Sequence, residues 1–246
     1  MNKYEDNFWL VLWQYLPSIT KALSVVVLIG SVFSLFSAFG GKSTPIDGGT
    51  FDISLQKKYN ATLGNMKSSL VLVYLVDYQC PACKGNNPSM QTVKKEYGDK
   101  VGFVYKHFPL ESLHPYARNA AKSVQAAGKQ GKFFEFGDKV FDNQEKGLSN
   151  STMENIAKEL NLDINKFNDD RNSTEISKQI EADQDDLKQI ELPANVKGDS
   201  KASGSLEKIG TPISILYKDN KITDWWTGGL GADTELKKKI DNALQK

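Results

Sequence analysis

The residues Leu70-Val71-Leu72-Val73-Tyr74-Leu75-Val76 form an unbroken apolar run, with β-branched Val71, Val73 and Val76, that passes through Asp77-Tyr78-Gln79 into Cys80-Pro81-Ala82-Cys83. A run of that length and composition predicts a buried strand. Met90, Val93 and Tyr97 follow at helical spacing, which predicts a helix opening at the cysteines. Any fold of this chain must therefore end a core strand where a helix begins, with the only two cysteines at the junction.

That position has a chemical consequence. The first turn of a helix presents unpaired N–H groups and the positive end of the macrodipole, both of which favour a thiolate over a thiol. Cys80 falls at the N-cap and Pro81 at the first helical residue, where a missing N–H costs nothing. Cys80 is thus the expected low-pKa, accessible nucleophile. Cys83, one turn further, is the partner that can close a disulfide with it. Other readings of the pair are weaker. A zinc site needs two more ligands, and His107 and His114 are the only histidines. A structural bridge across so short a loop removes little chain entropy. A helix N-terminus is a poor place to keep thiols inert.

A hydrophobic content of 39% is enough for a packed core, and 31 basic against 30 acidic residues give a net charge of +1 that argues against nucleic-acid binding. Arg118 and Arg171 are the only arginines, so bidentate phosphate recognition is not a theme. Two cysteines cannot staple a secreted scaffold.

Ahead of the core strand, Trp9, Leu12, Trp13 and Leu16 recur as an amphipathic stripe, expected to lie at a membrane interface over residues 1–17. Residues 18–39 read as a transmembrane anchor: from Ile19 to Phe39 the only charge is Lys21, over about the length needed to cross the hydrocarbon core. A cleaved signal sequence is the alternative. Gly30, Ser34 and Ala38 form a small-residue stripe suited to a second membrane helix. Residues 40–50, with four glycines and Pro45, read as a flexible linker.

After the cysteine helix, Val101-Gly102-Phe103-Val104-Tyr105 predicts a second strand running into Lys106-His107-Phe108-Pro109-Leu110. Residues 112–190 then read as helical, with one helix through Tyr116, Ala120, Val124 and Ala127 and another through Phe133, Phe136 and Val140. Ser151-Thr152-Met153-Glu154 matches a capping box opening a third, and a polar helix through Ile176 and Ile180 follows. Ile213–Tyr217 and Ile222–Trp226 predict a hairpin about Lys218-Asp219-Asn220-Lys221, and a last helix is expected from the cap Asp233. Trp225 and Trp226 must point to opposite faces, one into the core and the other a candidate border of a substrate groove. The order suggests an α/β sheet split by a helical insertion, with boundaries at 51–111, 112–208 and 209–246.

Taken together, Asp77-Tyr78-Gln79-Cys80-Pro81-Ala82-Cys83, Phe108-Pro109-Leu110 with His114-Pro115 and Ala117, Gln130-Gly131-Lys132-Phe133-Phe134-Glu135, and Gly210-Thr211-Pro212 before a strand resemble the DsbA-like branch of the thioredoxin superfamily. The resemblance covers roughly residues 51–246. It implies a thioredoxin fold interrupted by helices, a cis Thr211–Pro212 bond beside the cysteines, and a Thr211 backbone free to pair with extended substrate. It also implies a membrane-anchored thiol–disulfide oxidoreductase, facing the extracytoplasmic side, that introduces disulfides into exported proteins through Cys80 and Cys83. No cofactor or metal is implied; the expected partner is a membrane reoxidase of the DsbB or VKOR kind. The same fold as an anchored reductase or isomerase, or as a non-enzymatic peptide-binding module, stays open. Two departures stand out. Where strongly oxidising members often carry His, this chain has Ala82, which should leave the Cys80 thiolate less stabilised. The loop at 191–208 is also long and polar. Asp77, with Pro81 and Ala82, is a candidate modulator of Cys80, and His107 and His114 are read chiefly as structural.

Overall fold

The computed structural model describes residues 57–188, 190, 192, 210–229 and 233–245. The interfacial segment, the anchor and the linker expected before residue 51 lie outside the described residues. Among the described residues no helix is long and apolar enough to cross a membrane.

The strand β2 (Leu70–Val76) is buried at every position and lies at the centre of a five-stranded sheet ordered β1-β3-β2-β4-β5. It runs parallel to β3 (Gly102–His107) and antiparallel to β4 (Ile213–Lys218). A strand covered on both faces has no position for a polar residue, which is why it reads as a continuous apolar run rather than an alternation. β1 (Ala61–Gly64) closes one edge against β3, and β5 (Lys221–Thr227) closes the other against β4. The β4–β5 turn places Asp219 and Asn220 at φ 50 and 63, the two left-handed residues that a tight hairpin matching the strand twist demands. β3 runs two residues beyond the expected Tyr105. Lys106 and His107 stay in the ladder opposite Leu75 and Val76 because their polar groups find buried partners, described below.

The alternation of β2 divides the interior into two cores. Leu70, Leu72, Tyr74 and Val76 pack with α1 (Pro81–Tyr97), α7 (Asp233–Gln245) and the helical insertion. Val71, Val73 and Leu75 pack with Leu187, Ile190, Ile213 and Ile215 on the other face. Trp225 and Trp226 enter opposite cores, as adjacent strand residues must, but both are buried, at 3% and 4% exposure. The Lys239 ammonium lies 4.8 Å from the centroid of the Trp226 ring.

Among the described residues five helices lie between β3 and β4: α2 (Ala117–Gly128), α3 (Phe133–Asp142), α4 (Asn150–Glu159), α5 (Ile164–Asn172) and α6 (Thr174–Lys188). The N-cap of α4 is Ser149, two residues before the expected box; its hydroxyl accepts from Thr152 N at 3.2 Å. α6 is fastened to the sheet by a buried ion pair. Lys106 Nζ lies 3.1 Å from Asp183 Oδ1 and 3.2 Å from Asp186 Oδ2, while Asp183 also accepts from Asn60 Nδ2 and from the His107 backbone N–H.

Candidate active site

The turn between β2 and α1 is built on Asp77. Its carbonyl accepts from Cys80 N at 3.2 Å and its Oδ1 accepts from Gln79 N at 2.7 Å, so one residue satisfies the N–H groups of both Gln79 and Cys80. Cys80 is the N-cap of α1 in extended conformation and Pro81 is the first helical residue. Pro81 and Ala82 are exposed. Both cysteines are free thiols, Cys80 with 6% exposure and Cys83 with none. The access to Cys80 is thus narrower than its place at a strand-to-helix junction suggests.

The surroundings push the two thiols apart. Cys80 falls to about 5, first because the Cys83 thiol donates toward its sulfur. Burial opposes this, and Thr211 with the N–H groups of Cys83 and Ala82 reinforces it. Cys83 is raised well above the ordinary thiol value by burial and by the neighbouring Cys80. One sulfur is therefore an anion at neutral pH and the other stays protonated beside it. The groups that stabilise the Cys80 anion are Cys83, Thr211 and backbone N–H groups, so the side-chain donor missing at Ala82 is not what sets the low value.

The segment Gly210-Thr211-Pro212 lies against Cys80. Gly210 has φ +80, and the Thr211–Pro212 peptide is cis. Cys80 Sγ donates to the Thr211 carbonyl at 3.3 Å, while the Thr211 hydroxyl is buried with no hydrogen-bond partner among the described residues. Thr211 is also among the groups that lower the Cys80 pKa. The Pro212 carbonyl accepts from Gly228 N at 2.8 Å, which moors this segment to the end of β5.

Asp77 does not face the sulfurs with its carboxylate. Besides Gln79 N, it accepts from Leu110 N at 2.9 Å and from His114 Nδ1 at 2.7 Å, and it is 1% exposed. It ties the segment after β3 to the cysteine turn. His107 is buried, with Nε2 3.0 Å from Gln125 Oε1, and burial lowers its pKa. Neither histidine is brought to the sulfurs by any of these contacts, and among the described residues no three His, Cys, Asp or Glu side chains gather as a metal site.

Two residues that sequence reasoning did not single out complete the turn. Gln79 Oε1 accepts from Tyr116 N at 2.6 Å. Gln144, from a single 3-10 turn (Gln144–Lys146) between α3 and α4, donates through Nε2 to the carbonyls of Tyr78 at 2.8 Å and Cys80 at 3.2 Å. Gln79 lay inside the cysteine motif and could have been found there. Gln144 sits in a polar stretch with no periodicity, and no sequence signal marks it.

Comparison with known proteins agrees with this geometry. Residues 56–194, more than half of the chain, match the sequence model of a family described as thioredoxin. The thiol-disulfide exchange protein alpha-DsbA2 from Wolbachia pipientis has a similar structure, with a TM-score of 0.61 at 22% identity over 77% of this chain and 90% of that one. The catalytic domain of Proteus mirabilis ScsC gives a TM-score of 0.58 at 20% identity, over 78% of this chain and 92% of that one. The fold is thus the thioredoxin fold, α/β with a mixed sheet. Among curated proteins, the Na(+)/H(+) antiporter NhaA 1 of Mycobacterium sp. (strain KMS) is 39% identical over 107 residues, 44% of this chain. The match spans only 17% of the antiporter's length, so its transport activity belongs to that protein.

Proposed function

The chain belongs to the thioredoxin family matched by its residues 56–194, and from that premise we propose that it is a thiol–disulfide oxidoreductase that donates disulfides through Cys80 and Cys83. The observation that carries the reading is the split between the two sulfurs, Cys80 depressed to about 5 beside a buried Cys83 that is pushed up.

In the oxidised protein Cys80 and Cys83 share a disulfide. A substrate thiolate attacks Cys80 Sγ; the S–S bond breaks and Cys83 leaves with the electron pair, taking up a proton in its buried site. A second substrate thiolate then attacks the substrate sulfur of the mixed disulfide and expels Cys80 as its stable thiolate. Two electrons pass from substrate to protein. A stabilised reduced form makes the pair a stronger oxidant, which supports the donor direction. Thr211 and Pro212 offer backbone next to Cys80 against which an extended substrate can lie.

The apolar stretch at 18–39 supports an anchor in the cell membrane; the extracytoplasmic side, exported cysteine-containing proteins as substrates and a membrane reoxidase of the DsbB or VKOR kind follow from the proposed oxidase function and the DsbA-like resemblance. A second reading, an anchored reductase or isomerase of the same fold, rests on Ala82, which adds no side-chain donor of its own to the Cys83, Thr211 and backbone donors around Cys80.

Equilibrating the full chain with glutathione and measuring the reduction potential separates these readings. A value near that of strong periplasmic oxidants, about −120 mV, supports the donor. A value near thioredoxin's, about −270 mV, turns the protein into a reductase. If the pair exchanges with nothing, and Cys80→Ser retains peptide binding, the domain is a non-enzymatic binding module.

A further inference from the structure

Three side-chain links join the start of α1 to the helical insertion. Lys84 Nζ meets Glu145 Oε1 at 2.8 Å, with the Glu145 side chain 88% exposed. Asn87 Nδ2 donates to Asp138 Oδ1 at 2.8 Å. The third is Gln144, and of the three it alone reaches the backbone of the turn that carries Cys80.

We propose that Gln144 is a positioning residue for the Cys80 chemistry, a point at which the helical insertion grips the backbone carbonyls of the cysteine turn and holds it against the N-terminus of α1. The inference rests on the reading of Cys80 as the reactive sulfur.

The turn's donors are satisfied from within, Gln79 N and Cys80 N both by Asp77. Its outward carbonyls, on Tyr78 and Cys80, are satisfied from without by the two hydrogens of one amide. The Cys80 carbonyl is also the first acceptor of α1, taking Lys84 N at 3.1 Å. Gln144 therefore grips the residue at which extended chain becomes helix. The groups that hold the Cys80 anion are the Cys83 thiol, Thr211 and the first N–H groups of α1, and all of them are directional. A small rotation of the turn weakens each of them together.

A second contact comes from the same insertion. Gly137 in α3 lies so close to Tyr78 that a Cβ there would stand 2.9 Å from Tyr78 Cε1. The insertion thus holds Tyr78 by its ring and by its carbonyl, on the residue two before Cys80. The 3-10 turn that carries Gln144 ends at Gly147, whose φ of +86 lets the chain reverse into α4 without moving the amide from the turn.

The test uses the reduced full chain and follows the ultraviolet absorbance of the Cys80 thiolate against pH, for wild type, Gln144→Ala, Gln144→Glu and Glu145→Ala. Gln144 is only half-buried, so the variants are expected to fold, and thermal melting of each checks that they do. Loss of the amide in Gln144→Ala should raise the Cys80 midpoint by roughly one pH unit. Gln144→Glu should raise it at least as far, because a carboxylate cannot donate to the two carbonyls and brings negative charge to the turn. Glu145→Ala, which breaks only the exposed ion pair, should stay within a few tenths of a unit of wild type. If both Gln144 variants titrate like wild type, or if Glu145→Ala moves the midpoint as far as they do, the proposal fails. The titration needs no exchange reaction, so a wild-type protein that fails to exchange with glutathione would overturn the function proposed for Cys80 and leave the thiolate result standing on its own.

Discussion

The Asp77 carboxylate and the His114 ring meet at 2.7 Å, Oδ2 to Nδ1, across 37 residues of chain. With a carboxylate as the acceptor, the imidazole carries its proton on Nδ1. This contact, with Leu110 N on the same oxygen and Gln79 N on the other, makes Asp77 a structural knot beneath the cysteine turn.

Replacing Asp77 by Ala strands those donors in a site that is 1% exposed. The expected cost is ~2–4 kcal/mol in urea unfolding, with Asn, which keeps one acceptor, losing less. A proton-relay role predicts the opposite pattern, in which Asp77→Asn unfolds like wild type and abolishes thiol exchange.

Cys80 imposes a signed pH dependence on the reduced protein. Its folded pKa of about 5 lies below the ordinary thiol value of 9.0. The resulting stabilisation is complete above about pH 9, the unfolded value, and shrinks as pH falls until it is lost at about pH 5. Denaturation midpoints of wild type should therefore rise relative to Cys80→Ser between pH 5 and pH 9. Alkylation by iodoacetamide should keep nearly its full rate at neutral pH and drop to half near pH 5.

Lys106 and Asp183 are an ion pair with no solvent exposure on either side chain. Asp183→Ala leaves the buried Lys106 ammonium with Asp186 as its remaining carboxylate partner and strands the Asn60 Nδ2 and His107 N donors, and should cost ~3 kcal/mol, read from chemical denaturation. Lys106→Met should cost less, because Asp183 keeps the Asn60 Nδ2 and His107 N donors. The double variant Lys106→Met with Asp183→Asn should recover a good part of the loss.

Gly137→Ala sets helix propensity against sterics. Alanine ordinarily stabilises a helix interior by up to about 1 kcal/mol. Here its methyl would press on the Tyr78 ring, which is already bounded by Phe141 at 5.2 Å and His107 at 6.0 Å between centroids. The clash should win, lowering the melting temperature with a net loss of ~1–2 kcal/mol.

The central strand, the cysteine helix and the C-terminal hairpin were legible because their burial is written in the local pattern: Leu70–Val76 carries no polar residue and Asp219-Asn220 marks the turn. β1 was missed because four residues, Ala61–Gly64, are too short to show an alternation. α5 was missed because it buries only Phe167 and Arg171. At the site, Cys80, Cys83, Thr211 and Pro212 come together as their motifs implied. The partners of the Asp77 carboxylate, Leu110 N and the His114 ring, could not be read from its neighbours in sequence, because they are set by tertiary structure. Lys106 looked like the end of a strand for the same reason: nothing near it in sequence announces Asp183.

The contact between Cys80 and Thr211 spans 131 residues, and the strand that fills the last place beside β2 begins only at Ile213. A chain made from its N-terminus has both thiols long before it has the carbonyl, the hydroxyl or the neighbouring strand that tune them. Until the segment from Gly210 onward emerges, Cys80 lacks the Thr211 contact and sits on an incomplete sheet, holding only part of the set of groups that lowers it. The sulfurs thus reach their full difference only once the C-terminal strands are in place, and a truncation that removes the Thr211 segment with the hairpin should leave Cys80 a weaker thiolate than in the full chain.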